Sequence, residues 1–166
     1  MAELSDRLSL PLLSAGQAQK ELYHNEALAT LDLLSHAAVE DHGINTPPST
    51  PSVGQCWVVG ASPTGVWAGH ADAIAGWTSG GWRFIAPRAG MLVWDIGASY
   101  WLHHDGGNWV TGALTASSLE IGGVQVVGSQ SAAIPDPTGG SFTAAEARAA
   151  ITLILNALRT HGMIAP

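Results

Sequence analysis

Hydrophobic residues recur at three- and four-residue steps near both ends of the chain and come in short glycine-broken runs between them. From Ser14 to about Asp41 no proline intervenes, and Leu28, Leu31, Leu34 and Ala38 keep helical spacing, which predicts a helix capped by Ser14 and ended by Gly43. Upstream, Pro11 prevents Leu8, Leu10, Leu12 and Leu13 from joining a helix, so they read as an extended apolar arm laid against another surface. Three prolines between Thr46 and Pro51 form a stiff linker. The runs Gln55–Val59, Trp82–Ile85, Met91–Trp94, Ser99–His103 and Asn108–Thr111, separated by Gly-rich turns, predict a small antiparallel β unit. Asp105-Gly106 is its clearest hairpin signal, and Ala-rich Ala71–Trp77 reads as two turns of helix. Beyond Ala113 the chain is rich in Ser, Ala and Gly, with one β run over Gly123–Gly128. Thr143 and Glu146 then match a capping box, and Ala147, Ile151, Ile154 and Leu158 follow at heptad spacing. Two heptads are too few for an independent coiled coil, so this helix must bundle with copies of itself or pack on the β unit.

The expected fold is therefore α+β. It comprises an N-terminal arm and helix (1–45), a Trp-rich β domain (46–112), a Gly/Ser-rich connector with a short strand (113–140) and a C-terminal helix (141–166), in a trimeric assembly. Composition sharpens this picture. Of 166 residues only 11% are charged while 46% are hydrophobic, and so little charge points to a surface partly covered by other subunits. The net charge of −7 disfavours nucleic acid and anionic membranes as partners. No apolar run is long enough to span a membrane, and Glu3 and Asp6 stand where a secretion signal would be basic, so synthesis in the cytoplasm without a signal peptide is expected. A single cysteine, Cys56, excludes an internal disulfide and thiolate-based zinc.

All seven tryptophans fall between Trp57 and Trp109. Such rings either fill the core of a β unit short of Leu and Ile or form platforms on which sugar rings stack. On the second reading the glycan-binding candidates are Trp77, Trp82, Trp94 and Trp101, with Asp72, Asp105 and Asn108 as hydrogen-bonding partners. His103, His104 and Asp105 could offer metal ligands, but neighbouring strand residues point to opposite faces, and they read as solvated turn residues. His24-Asn25-Glu26, mid-helix, reads as a polar patch setting the register of a helix interface. Cys56 lacks a flanking cation and reads as buried. No nucleophile elbow or phosphate loop is present, and Asp72, Asp95 and Asp105 are the only carboxylates in the Trp-rich segment available for glycoside hydrolysis. The chain is expected not to be an enzyme, and to use neither cofactor nor metal.

Several motifs carry a resemblance. Leu13-Ser-Ala-Gly-Gln-Ala-Gln-Lys-Glu21 with His24-Asn-Glu-Ala27, then Pro47-Pro48, Gly54-Gln-Cys-Trp57, Thr64-Gly-Val-Trp67-Ala-Gly69, Ile74-Ala-Gly-Trp77 and Gly80-Gly-Trp82-Arg-Phe84, resemble an uncharacterised domain family of alphaproteobacterial phages, prophages and gene transfer agents, found in fibre and spike proteins. The last segments, from Ala132 to Gly140, Glu146 to Ile151 and Leu158 to Ile164, are similar to the ends of many such fibres. The resemblance implies a virion component, homotrimeric, joined to other virion proteins and attaching to host surface polysaccharide. Leu10, Leu12, Leu13, Leu28, Leu31, Leu34, Ile151, Ile154 and Leu158 are then the expected attachment and oligomer interface. The alternative is a structural adaptor that joins a fibre to the capsid, neck or baseplate without a ligand of its own.

Overall fold

The first helix, α1, spans Lys20–Leu34 and ends earlier than its periodicity implies. This is seen in a computed structural model that describes residues 3–14, 16, 20–136, 138, 144–160 and 162–165. Gly16, two residues after Ser14, takes a φ of 125° and is not helical, so Ser14 is not the cap of α1. Its other end comes at Ser35-His36, where His36 takes a φ of 48°, and the following residues enter strand β1 (Ala38–Val39) instead of another helical turn. Tertiary burial decides the matter: Ala37 and Val39 are enclosed, which a solvent-facing extension of the helix would forfeit.

The arm also departs from expectation. Ser5 and Leu10 close it into a small loop, with the Ser5 N–H donating to the Leu10 carbonyl at 2.9 Å. That loop is fastened to its own helix. The buried Asp32 carboxylate accepts the N–H groups of Arg7 and Leu8, and the Arg7 guanidinium donates to the carbonyls of Asp32, Leu33 and His36. The Asp32 and Leu33 carbonyls are among the ones a helix end leaves without partners, so Arg7 supplies what the fold lacks there. Asn25 exchanges two 3.0 Å hydrogen bonds with the Leu13 backbone. Leu10, Leu12 and Leu13 are thus half-buried within the chain instead of extending to another surface.

The chain forms two units, Met1–Leu114 and Thr115–Pro166. In the first, one sheet contains β2 (His42–Ile44), β3 (Cys56–Val59), β4 (Ile74–Thr78) and β5 (Gly81–Ile85), and the other contains β1, β6 (Leu92–Asp95), β7 (Tyr100–His104) and β8 (Trp109–Thr111). The Pro-rich stretch Thr46–Pro51 joins β2 to β3 and lies inside this unit. Each sheet has the same plan, a parallel edge strand followed by a three-stranded antiparallel meander. Both edge strands come from the single crossing segment 38–44. Val59-Gly60-Ala61-Ser62 and Ile96-Gly97-Ala98-Ser99 hold corresponding places where the meander passes that segment. The N–H of Gly60 donates to Ile44 and the N–H of Ile96 to Val39, both at 2.8 Å. A Cβ on Gly97 would lie 2.9 Å from the Glu40 carbonyl oxygen, and one on Gly60 would collide with that of Gly43, so glycine lets the backbones approach.

The helix expected over Ala71–Trp77 is strand β4. Helical propensity in an Ala-rich stretch is outweighed because Ile74 and Ala75, on opposite faces, are both buried. The central β3 is buried at all four positions for the same reason. Cys56 and Val58 join Leu33, Val39, Ile74, Val93 and Leu102 in an aliphatic core, whereas Trp57 and Val59 join Trp67 and Ala75 in an aromatic one.

In the second unit, β9 (Leu119–Ile121) and β10 (Val124–Val127) form a hairpin whose two-residue turn, Gly122-Gly123, has positive φ at both positions. Only the second strand was expected. Helix α2 spans Ala145–Thr160, with Glu146 in its first turn; Thr143, the expected cap, lies outside the described residues. Arg159 ties α2 to the preceding segment through the Asp136 carboxylate and the Ile134 carbonyl.

Candidate functional site

The four candidate platform tryptophans separate into two cross-strand pairs on different sheets. Trp77 and Trp82 face each other across β4 and β5 with centroids 5.0 Å apart, and Trp94 and Trp101 across β6 and β7 at 5.2 Å. The first pair belongs to the aromatic core. The loop after β3 folds back in a short 3-10 turn, Gly65–Trp67, which seats a fully buried Trp67 against Trp57 and Trp82. Trp77 and Trp82 are half-buried at the rim of that core. Trp101 is 39% exposed on the outer face of the other sheet.

Asp72 and Asn108 meet in a cleft of about 190 Å³ whose walls also include His42, Val58 and Trp109. Asp72 precedes β4 and takes a φ of 61°, an uncommon backbone for a non-glycine residue. Its carbonyl is held by the Trp109 indole N–H at 2.8 Å. His42 reaches the cleft from β2. Its Nδ1 lies 2.5 Å from Oδ2 of Asp95, whose other oxygen accepts the Ala98 N–H at 2.7 Å. Asp95 is only 1% exposed, so both oxygens of this buried carboxylate are partnered, as burial of charge demands. With Nδ1 committed, Nε2 is the ring nitrogen left to the cleft. Among the described residues no hydrogen bond to protein is made by the Asp72 carboxylate, the Asn108 carboxamide or His42 Nε2, and all three residues line the cleft together with Trp109.

Asp41, His42 and Asp95 bring three possible metal-ligating atoms within 4.8 Å of one another. Two ligands on a tetrahedral ion at about 2.0–2.1 Å would stand about 3.3 Å apart. The 2.5 Å separation of His42 Nδ1 and Asp95 Oδ2 is shorter than that, and the two atoms share a hydrogen bond instead.

The remaining candidates are used by the fold. The Asp105 carboxylate accepts the N–H groups of Asn108 and Gly107, which hold its pKa below the usual carboxylate value, and it serves the turn between β7 and β8. His104 is buried and accepts the Gly106 N–H, while His103 lies near the Ala113 carbonyl. Within His24-Asn25-Glu26, Asn25 binds the arm and Glu26 makes a bidentate pair with Arg83 of β5, so two of the three residues have partners within the chain. Leu28 and Leu34 are half-buried, Leu34 packing on the aliphatic core, whereas Leu31 is exposed. Burial pushes the Cys56 thiol up to about 11, partly offset by Arg7.

His42 and Trp109 were missed as site residues, and Asp95, considered only as a carboxylate for sugar chemistry, is instead buried and bound to His42. The helix reading that ran to Asp41 concealed His42, although His42-Gly43-Ile44 ahead of Pro47-Pro48 has the composition of an extended segment.

A family model described as a protein of unknown function (DUF2793) matches residues 24–110, from within α1 through most of β8. It takes in both sheets and the cleft, and leaves out the arm and the second unit. No curated protein matches the chain.

Proposed function

The chain belongs to the DUF2793 family, and on that premise we propose that its first unit is a carbohydrate-binding module of a phage-type fibre or spike. The ligand is a host surface glycan, gripped in the cleft of Asp72, Asn108, His42 and Trp109, and the module works as a homotrimer. The similarity of its motifs to fibre and spike proteins supports the particle. The cleft supports the ligand, and one observation carries the reading: three residues with hydrogen-bonding groups that have no protein partner line one cleft together with an aromatic ring. A sugar presents hydroxyls around an apolar C–H face, so it can satisfy those groups and stack on the ring together. The cleft is smaller than the roughly 300–1,000 Å³ of drug-sized pockets, which suits one sugar ring at a chain end. Weak single-site affinity is then raised by presenting three copies to a polymer. The reading is of binding without turnover, because among the described residues Asp72 is the one carboxylate lining the cleft and hydrolysis calls for two facing each other.

The adaptor reading needed the apolar arm to seat in another protein, and that arm is bound to α1. The test is titration of the purified full chain with host surface polysaccharide by calorimetry. Asp72→Asn and Asn108→Ala are each expected to weaken binding at least tenfold. Unchanged affinity in both, or no binding by the unaltered chain, overturns the proposal.

A further inference from the structure

We propose that the cleft selects a sugar ring carrying a protonated amino group, and that Asp72 is the residue that makes the selection. This rests on the reading of the cleft as a sugar site and adds the class of sugar.

The lining has a sign. Among the described residues Asp72 lines the cleft and no lysine or arginine does. Arg7 and Arg83, which could have balanced it, are bound to the arm-facing side of α1. Asp41 adds to the negative field. Its Oδ1 accepts the His42 N–H at 2.7 Å, and its carboxylate, that of Asp95 and the His42 ring bring one atom each within 4.8 Å of one another. A uronic acid would therefore meet like charge with nothing to offset it.

The hydrogen-bonding pattern points the same way. The Asp95 carboxylate takes the Nδ1 proton of His42, so the neutral ring keeps a bare lone pair at Nε2. The Asp72 carboxylate can only accept, and the Asn108 carboxamide has an acceptor oxygen. Three residues that line one small cleft with Trp109 thus offer acceptors. An ammonium group has three donors and no acceptor, which is the complement of that set. A single hydroxyl has one donor and brings lone pairs of its own. Trp109 suits both parts of an amino sugar, because an aromatic wall attracts a cation as well as an apolar C–H face.

The net charge of −7 also draws any cationic polymer to the surface, so the test has to separate the cleft from the general field. The experiment is calorimetric titration of the full chain, in neutral buffer at physiological ionic strength, with four trimers. These are β-1,4-linked glucosamine, its fully N-acetylated counterpart, galacturonic acid and lysine. The glucosamine trimer is expected to bind about tenfold or more tightly than the N-acetylated one, and the galacturonic acid trimer not to bind. Asp72→Asn is expected to bring the first two within about threefold of each other. Asparagine accepts the positive φ of this position as aspartate does, and the carboxylate has no protein partner to lose, so the variant keeps the fold. Glu3→Gln, which removes an exposed charge outside the cleft, is expected to leave the preference unchanged.

Equal or tighter binding of the N-acetylated trimer overturns the inference, as does a preference that survives in Asp72→Asn. Trilysine binding as tightly as the glucosamine trimer overturns it too, by showing that the cleft reads an amine without the sugar. If host polysaccharide binds through Asp72 while the glucosamine trimer does not bind, the sugar site stands and this inference falls. If no saccharide binds, both fall.

Discussion

The two sheets of the first unit share a plan and differ in what covers them. Trp57 in β3 and Trp94 in β6 stand at corresponding positions, each on the outer face of its sheet and each one residue after a core aliphatic or thiol side chain. Between β3 and β4 the chain makes a long excursion that places Trp67 over Trp57, whereas β6 and β7 are joined by Ile96–Ser99 alone. One tryptophan is consequently buried and the other half-buried. The inner faces differ as well: where β3 carries Val58, β6 carries Asp95, and that exchange ties His42 beside the cleft. A repeated framework lets one half be invested in stability while the other keeps polar and aromatic groups available.

Removing the roof should have the largest effect on this contrast. Trp67→Ala empties the centre of the aromatic core and is expected to cost about 3–5 kcal/mol in denaturant unfolding. A cost below about 1 kcal/mol would mean that the loop is not a structural cover. Next comes pH. The Cys56 thiol is raised from 9.0 to about 11, so above pH 9 the unfolded chain loses that proton before the native one does. The thiol's contribution is therefore intact below pH 9 and falls as pH rises toward 11, by about 1.4 kcal/mol per unit. Cys56→Val, which copies the corresponding Val93, is expected to flatten that part of the stability profile. The smallest change should come from the uncovered sheet: Trp101→Ala is expected to shift stability by less than about 1 kcal/mol. A loss as large as that of Trp67→Ala would show that this face is covered after all.

Much of the meander was readable because its signals are local. Asp105-Gly106 and Gly80-Gly81 mark turns by composition alone, and the strands between such turns came out within a residue or two. The edge strands were not readable, since Ala38–Val39 and His42–Ile44 become strands only through partners far along the chain. Neither was the division of the tryptophans, because Trp57 and Trp94 have similar neighbours and differ in what a distant loop does. Asp72 and Asn108 could be suspected individually, from their closeness to tryptophans. Their meeting around Trp109, with His42 between two sheets, depends on how those sheets pack. The stripe of α2, where Ile151 and Ile154 are exposed, was legible from its spacing, whereas the β9–β10 hairpin depended on a Gly122-Gly123 turn that linear reading passed over.

The crossing segment 38–44 also sets an order of events at the ribosome. Its residues are synthesised before every strand that they pair with, and Trp94, the partner of Ala38, emerges roughly 55 residues later. At about 5–20 residues per second, that is a wait of roughly 3–11 seconds. During it the sheet of β2 and β3 can close first, and the edge destined for β6 stays open until the second meander has been made. The segment that joins the two halves of the finished unit is thus a timer in the nascent one.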